Sequence, residues 1–271
     1  MKKRVICDTM IWYEIGKGNI DVTKLEGVEL IATGINIQEI SSTENLLSEL
    51  DLVKSALKGM ENHHSQIIEY EPWDYLLTFH VDKDYEPISR EKYLKDLKAF
   101  ELLIDGIVDA DFDDEQKLKE LNVLIKTFND PIKDLTANMN EGLIKVRERG
   151  SEKYGSRKAF VKHLQANENS FLEIMDMFKE IFAARLGIPK TELDNSINWD
   201  NFELLFRTWD FYYKEKTIVS NAKFHENDFF DLTNMAYVGK DDLYWTMEKN
   251  PWLRILNANE VTKKYVFEYG H

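Results

Sequence analysis

The chain has 271 residues, 43% of them hydrophobic, which is enough apolar material to bury a proper core and too much for a disordered polymer. Cys7 is the only cysteine, which excludes an internal disulfide and a cysteine-built zinc cage and suits a reducing cytoplasm. A formal net charge of -14 argues against broad attraction to nucleic acid or anionic lipid, although bound cations or a local basic patch can reverse the field where it matters.

The amino terminus starts basic, but Asp8 arrives after the apolar Val5, Ile6 and Cys7, too early for a signal peptide. No apolar run approaches membrane-spanning length, so a soluble, cytoplasmic protein with no membrane partner is expected. Arg4 to Asp8 reads as a short buried strand ending in an acid. A helical turn over Ile11 to Ile15 follows and is broken by Gly16 and Gly18. Val28 to Thr33 reads as a second strand. After Gly34, Asn36 is placed to cap a helix carrying Ile37, Ile40, Leu46, Leu47 and Leu50. This βαβα opening predicts a parallel sheet.

Residues 51–217 differ in character. Apolar positions recur three and four apart, as in Leu94, Leu97, Phe100, Leu103 and Ile104, or Phe171, Ile174, Met175, Phe178, Ile181 and Phe182. The spacing predicts a mostly helical middle, with breaks near Pro72, Pro87, Asp109 to Glu115, Pro131, Gly150 to Ser156 and Gly187-Ile188-Pro189. The earlier style then resumes: a helix over Asp228 to Val238, a strand Asp242 to Thr246, a short helix around Asn250 to Leu256 and a last strand Tyr265 to Phe267. The economical reading is one α/β domain, residues 1–50 plus 218–271, interrupted by a large helical insertion over 51–217.

In an open parallel sheet, ligands sit at the carboxyl ends of the strands, so Asp8 points at the expected site. Glu39 lies on the first turn of the helix after the second strand, and Thr246-Met247-Glu248 ends the later strand in the same way. Asp231, with Asp228 one turn before it, adds to the set. Clustered carboxylates repel, and a divalent cation is their natural partner. Oxygen-only ligation favours magnesium or manganese over zinc, and such ions can activate water and orient a phosphodiester.

Three segments carry a family likeness: Val5-Ile6-Cys7-Asp8-Thr9, Gly34-Ile35-Asn36-Ile37-Gln38-Glu39-Ile40, and Asn227-Asp228-Phe229-Phe230-Asp231-Leu232 running on to Leu243-Tyr244-Trp245-Thr246-Met247-Glu248-Lys249. In the order and spacing of its acids the chain resembles the PIN-domain ribonucleases. The resemblance spans roughly the first and last fifty residues and is silent about the middle. It implies a PIN-like three-layer α/β fold around a central parallel sheet, with Asp8, Glu39, Asp231 and Glu248 as catalytic acids. Asp8, Glu39 and Asp231, with Asp228 beside them, would hold magnesium or manganese, and Thr9 and Thr246 would be supporting hydroxyls. Glu248 departs from the commoner Asp. Both Asp228 and Asp231 suit the third position, and Asp231 is preferred on its distance to Thr246.

Plainer roles exist for each residue. Asp8 and Asp228 suit helix caps, Glu39 an exposed helix position, Glu248 a favourable charge near a helix start, and Asp241 and Asp242 a turn. Lys145, Arg147, Arg149, Lys153, Arg157, Lys158 and Lys162 stand against only Glu148 and Glu152 and could grip an RNA backbone, with Tyr154 and Phe160 stacking on bases; a solvated face or a partner contact is the alternative. Arg207, Lys214 and Lys216 are weaker candidates of the same kind. Adjacent His63 and His64 face different ways on a helix, and Trp199 to Tyr213 has core spacing. A haloacid-dehalogenase-like phosphatase is disfavoured, because Met10 stands where a second acid is needed, and no Gly-rich phosphate loop or nucleophile-elbow serine is present. The expectation is a metal-dependent endonuclease acting on RNA in preference to DNA. The alternative is a catalytically inactive binding protein that engages a protein partner through its helical region.

Overall fold

The computed structural model describes residues 2–41, 49–87, 90–95, 97–98, 115–167, 170–193 and 197–269. Four strands, β1 (Lys3–Cys7), β2 (Val28–Thr33), β3 (Gln66–Ile68) and β4 (Leu243–Trp245), form one sheet in the order β3-β2-β1-β4. Every pairing is parallel; Val5 stands opposite Leu30 of β2 and Ile6 opposite Tyr244 of β4. The first and last parts of the chain therefore lie side by side, β1 inside the sheet and β4 at its edge.

Alternation along β1 explains the layering. Val5 and Cys7, together with Leu30, Ala32, Leu243 and Trp245, belong to one core; Ile6, Ile31, Ile68 and Tyr244 belong to another. Successive strand side chains point to opposite faces, so the sheet separates two cores and both of its faces are covered, as a parallel sheet requires. The first core is closed by α1 (Thr9–Gly16), α2 (Gly34–Ser41) and α3 (Leu50–His63), through Trp12, Ile40 and Ala56.

The other core is aromatic and takes in much of the helical middle. After α4 (Pro72–Leu76) come α5 (Glu115–Lys153), α6 (Arg157–Ala166), α7 (Phe171–Leu186), α8 (Lys190–Leu193), α9 (Glu203–Ile218) and α10 (Glu226–Asn234). Phe178 and Phe182 of α7 pack with Phe202, Phe206 and Trp209, and Tyr212 meets Trp252. The segment from Trp199 to Tyr213 is thus core, as its spacing predicts. Short helices α11 (Arg254–Asn257) and α12 (Glu260–Lys263) end the described chain.

Several local expectations need correction. A third strand, β3, extends the sheet from within the stretch read as helical; at three residues it is too short to register as a pattern. Tyr265 to Phe267 makes only a single bridge, Val266 to Tyr244, rather than a strand. The helix expected to run from Asn36 past Leu50 is two helices, α2 and α3, and Leu46 and Leu47 lie outside the described residues. Pro131 does not end a helix: it sits inside α5, where it removes one backbone donor while Ile132 and Leu143 stay buried on the docked face. Phe100, Leu103 and Ile104 lie outside the described residues.

Helices α1 and α3 cross at two glycines. A Cβ on Gly16 would meet the Ser55 carbonyl oxygen at 2.1 Å, and one on Gly59 would meet the Gly16 nitrogen at 2.9 Å. Gly142, within α5, has nothing within 4 Å of such a Cβ. Gly16→Ala should therefore destabilise the protein by about 1–3 kcal/mol through overpacking, whereas Gly142→Ala should stabilise it by about 0.5–1 kcal/mol through helix propensity. Denaturant melts of the two variants check both signs.

Candidate metal centre

The site forms at the carboxyl ends of the adjacent strands β1 and β4. Asp8 follows β1 directly, and its amide donates to the Trp245 carbonyl at 2.8 Å, carrying the β1–β4 pairing one residue past the strands. Two buried asparagines fix the peptide just before it. Asn36 Nδ2 donates to the Cys7 carbonyl at 3.2 Å, and Asn234 Nδ2 donates to the same oxygen at 3.0 Å. Asn36 is thus no helix cap. Its Oδ1 accepts from the Thr33 amide at 2.9 Å and from Trp12 Nε1 at 3.3 Å, tying β1, β2, α1 and α2 together.

Asp8 occupies a cap position, yet its carboxylate makes no cap bond. Oδ2 accepts instead from the Thr246 hydroxyl at 2.5 Å. Thr246 follows β4, and its oxygen also accepts from the Glu248 amide at 3.1 Å, so one hydroxyl orients two of the acids. Asp231 reaches the site from the second turn of α10, and its Oδ2 accepts from Trp252 Nε1 at 2.6 Å. The Thr9 hydroxyl donates to Glu39 Oε2 at 2.6 Å and accepts from Asn36 Nδ2 at 3.1 Å. Each of Asp8, Asp231 and Glu39 therefore has one oxygen held by a neutral donor.

Asp8, Asp231 and Glu248 offer carboxylate oxygens that all lie within 4.8 Å of one another, close enough to hold a metal ion. Asp8 and Asp231 are only 4% and 7% exposed. Oxygens coordinating one hard cation at roughly 2.0–2.6 Å stand up to about twice that distance apart, so the group fits such an ion with little movement. Glu39 lies beside this group rather than in it, joined through Thr9 and facing the same cleft. Asp228 is committed elsewhere. Its Oδ2 accepts from the His225 amide at 2.6 Å and pairs with Lys216 Nζ at 3.6 Å, so it steadies the start of α10.

Burial and mutual repulsion make the acids weak. Burial pushes the Asp8 carboxyl up despite the Thr246 hydroxyl. Asp231 rises well above the ordinary range, through burial first and then the charges of Asp8, Glu39 and Glu248. Glu39 is pushed up to about 8 by burial and by Asp8, and Glu248 to about 7 by burial, Asp8 and Asp228. A cation would remove this penalty.

The acids line a cleft of about 870 Å³, whose walls include Met10, Tyr13, Lys17, Leu52, Asn129, His225 and Phe230. Lys17, the one lysine lining it among the described residues, is paired with Glu14 at 2.8 Å. None of the seven cations between residues 145 and 162 lines it. Two of them have structural duties: Arg147 binds the carbonyls of Lys216, Thr217, Val219 and Ala222, and Arg157 binds that of Ile218. Lys145 pairs with Glu141 on the surface. Arg149, Lys153, Lys158 and Lys162 are exposed. Phe160 is buried and stacks with Tyr154, so it is not free to receive a base.

The other sequence candidates fall outside the site. Lys214 pairs with Asp210, and Arg207 lies over the Phe171 ring. Asp242 pairs with Arg4 and accepts from the Gly239 amide, as a turn residue would. His64 Nδ1 contacts the Met60 carbonyl, and His63 is exposed at the end of α3. The sequence places Asn36 at a helix cap rather than in the site and does not single out Asn234 or Trp252. A polar Asn amid the apolar run around Ile35 and Ile37 is the one signal that marked any of them.

No family model, no curated protein and no solved structure matches this chain. Among the described residues no helix is long and apolar enough to cross a membrane.

The raised acids set a pH dependence. A carboxyl whose folded pKa exceeds its unfolded value stabilises the fold below the unfolded pKa, and that contribution is lost as pH rises through the folded one. For Glu39 the window runs from the ordinary 4.5 to about 8. In chelator, Glu39→Gln should therefore gain stability over the wild type as pH rises across that window, by roughly 1–2 kcal/mol after allowance for screening in the open cleft. Melting both proteins across this range checks it; parallel curves would refute the assignment.

Proposed function

We propose that this protein is a divalent-metal-dependent nuclease that hydrolyses phosphodiester bonds in RNA. The observation that carries the reading is the convergence of Asp8, from the start of the chain, with Asp231 and Glu248, from its last part, on one point of a cleft large enough to admit a nucleotide chain. The order of these acids along the chain, with Glu39 between them, is also what underlies the resemblance to PIN-domain ribonucleases. Oxygen-only donors favour magnesium or manganese. Such an ion, when bound, supplies Lewis acidity and a more acidic water.

The chain's own residues divide the remaining work. Thr246 holds one oxygen of Asp8 and Trp252 one oxygen of Asp231, orienting the second oxygen of each aspartate for ligation. Glu39 stands just outside the ligand group, facing the same cleft, and we assign it to proton transfer rather than to metal ligation. Arg149, Lys153, Lys158 and Lys162 are the exposed cations available to an RNA backbone away from the cleft. The preference for RNA rests on the resemblance, because no residue here reads a 2′-hydroxyl.

A second reading, a metal-holding binding protein without turnover, is favoured by one feature. The cleft is lined by eight carboxylates, with Lys17 and His225 as its basic side chains among the described residues, which opposes a polyanion until a cation is bound. Incubation with single-stranded and structured RNA in manganese separates the two. Asp8→Asn should reduce cleavage by at least about a hundredfold, and chelator should abolish it. Cleavage by Asp8→Asn at the wild-type rate would overturn the nuclease reading. Tight manganese binding with no cleavage by either protein would favour the binding module.

A further inference from the structure

Helix α9 ends at Ile218, and its last carbonyls have no partners within the helix. Side chains from two earlier helices, α5 and α6, take carbonyls there and just beyond. Arg147, on α5, donates Nε to the Thr217 carbonyl at 3.4 Å, and its Nη2 faces the carbonyls of Lys216, of Val219 at 2.7 Å and of Ala222 at 2.7 Å. Arg157, on α6, donates to the Ile218 carbonyl at 2.7 Å. Two turns before Arg147, Asn140 grips the next piece of backbone from both sides: Nδ2 donates to the Phe224 carbonyl at 3.0 Å, and Oδ1 accepts from the Phe224 amide at 2.8 Å.

All of these bonds fall on residues 216–224, the connector that leads into α10. The chain of contacts continues into that helix, because Lys216 pairs with Asp228, which in turn accepts from the His225 amide. One turn beyond Asp228 is Asp231, the deepest ligand candidate that does not come from a strand end. Asp8 is fixed by the sheet; Asp231 is held by Trp252, and α10 is tied to the sheet by Asn234 at its far end, so the place of its first turns depends on where the helix starts.

We propose that Arg147 and Asn140 are positioning residues for the metal centre. The long helix α5 clamps the connector before α10, and this clamp sets the place of Asp231 relative to Asp8 and Glu248. The inference rests on the metal-binding reading of the acidic group. It gives the helical middle a role within the site itself and links metal affinity to the docking of α5.

The test compares Arg147→Ala and the milder Asn140→Ala with Phe182→Leu, a destabilising control in the aromatic core, whose ring packs on Phe178 and Phe202. Two measurements are made well below the melting temperature of each protein: manganese affinity by titration, and hydrogen exchange of peptides covering residues 216–234. Both clamp variants should bind manganese about tenfold more weakly, as loss of support around a ligand generally does. Their 216–234 amides should exchange faster while β1 and β2 exchange as in the wild type, and Phe182→Leu should change neither reading at comparable loss of melting temperature. Wild-type exchange and wild-type affinity in both clamp variants would overturn the proposal, and so would an equal affinity loss in Phe182→Leu. If the wild type itself fails to bind manganese, the metal reading falls, and unchanged exchange over 216–234 would still refute the clamp independently.

Discussion

Two aspartates from opposite ends of the chain are buried against one another, and much of the architecture can be understood as the means of holding them there. Asp8 and Asp231 lie at the floor of the same cleft, and their near neighbours Glu39 and Glu248 are also acids. The donors supplied to them, Thr246, Trp252 and Thr9, are neutral hydroxyls and an indole. Such groups orient a carboxylate but cannot cancel its charge. Left alone, the group must either take up protons, as its raised pKa values indicate, or recruit a cation. The fold supplies the geometry for the second outcome by placing β4 directly beside β1, which brings Thr246 and Glu248 to Asp8.

How much of this was legible in the sequence depends on whether a residue's role is local. Asp8 could be read because an acid ending a buried apolar strand is a local pattern, and the parallel sheet followed from the βαβα opening. The ranking of the acids was less accessible. Glu39 looked firmer than Glu248, yet Glu248 lies in the close group and Glu39 beside it, because one threonine turns the Glu248 amide inward while another holds Glu39 aside. Asn234 and Trp252 act through partners far from them along the chain, and Asn36 joins its near neighbour Thr33 to Trp12 and Cys7, so no spacing marks their part in the site. Strand β3 was hidden by its three-residue length.

The basic stretch between residues 145 and 162 illustrates the same limit. Seven cations in a row read as one surface, but backbone carbonyls are invisible as charge partners in a sequence, and Arg147 and Arg157 are occupied by five of them at the end of α9. What remains exposed is a smaller set on the same pair of helices. The helical middle therefore has two faces with different duties, one that builds the aromatic core and fixes the connector to α10, and one that stays in solvent. Asn129, also on α5, lines the cleft, so the same helix touches both the support of the site and its entrance.

The central claim is that Asp8, Asp231 and Glu248 hold one divalent ion. The most direct measurement is anomalous diffraction from crystals of the protein soaked in manganese. The account predicts a single strong peak enclosed by those three carboxylates, at about 2.0–2.6 Å from an oxygen of each. A peak elsewhere in the cleft, or an empty position there with the three carboxyl groups turned apart, would contradict it.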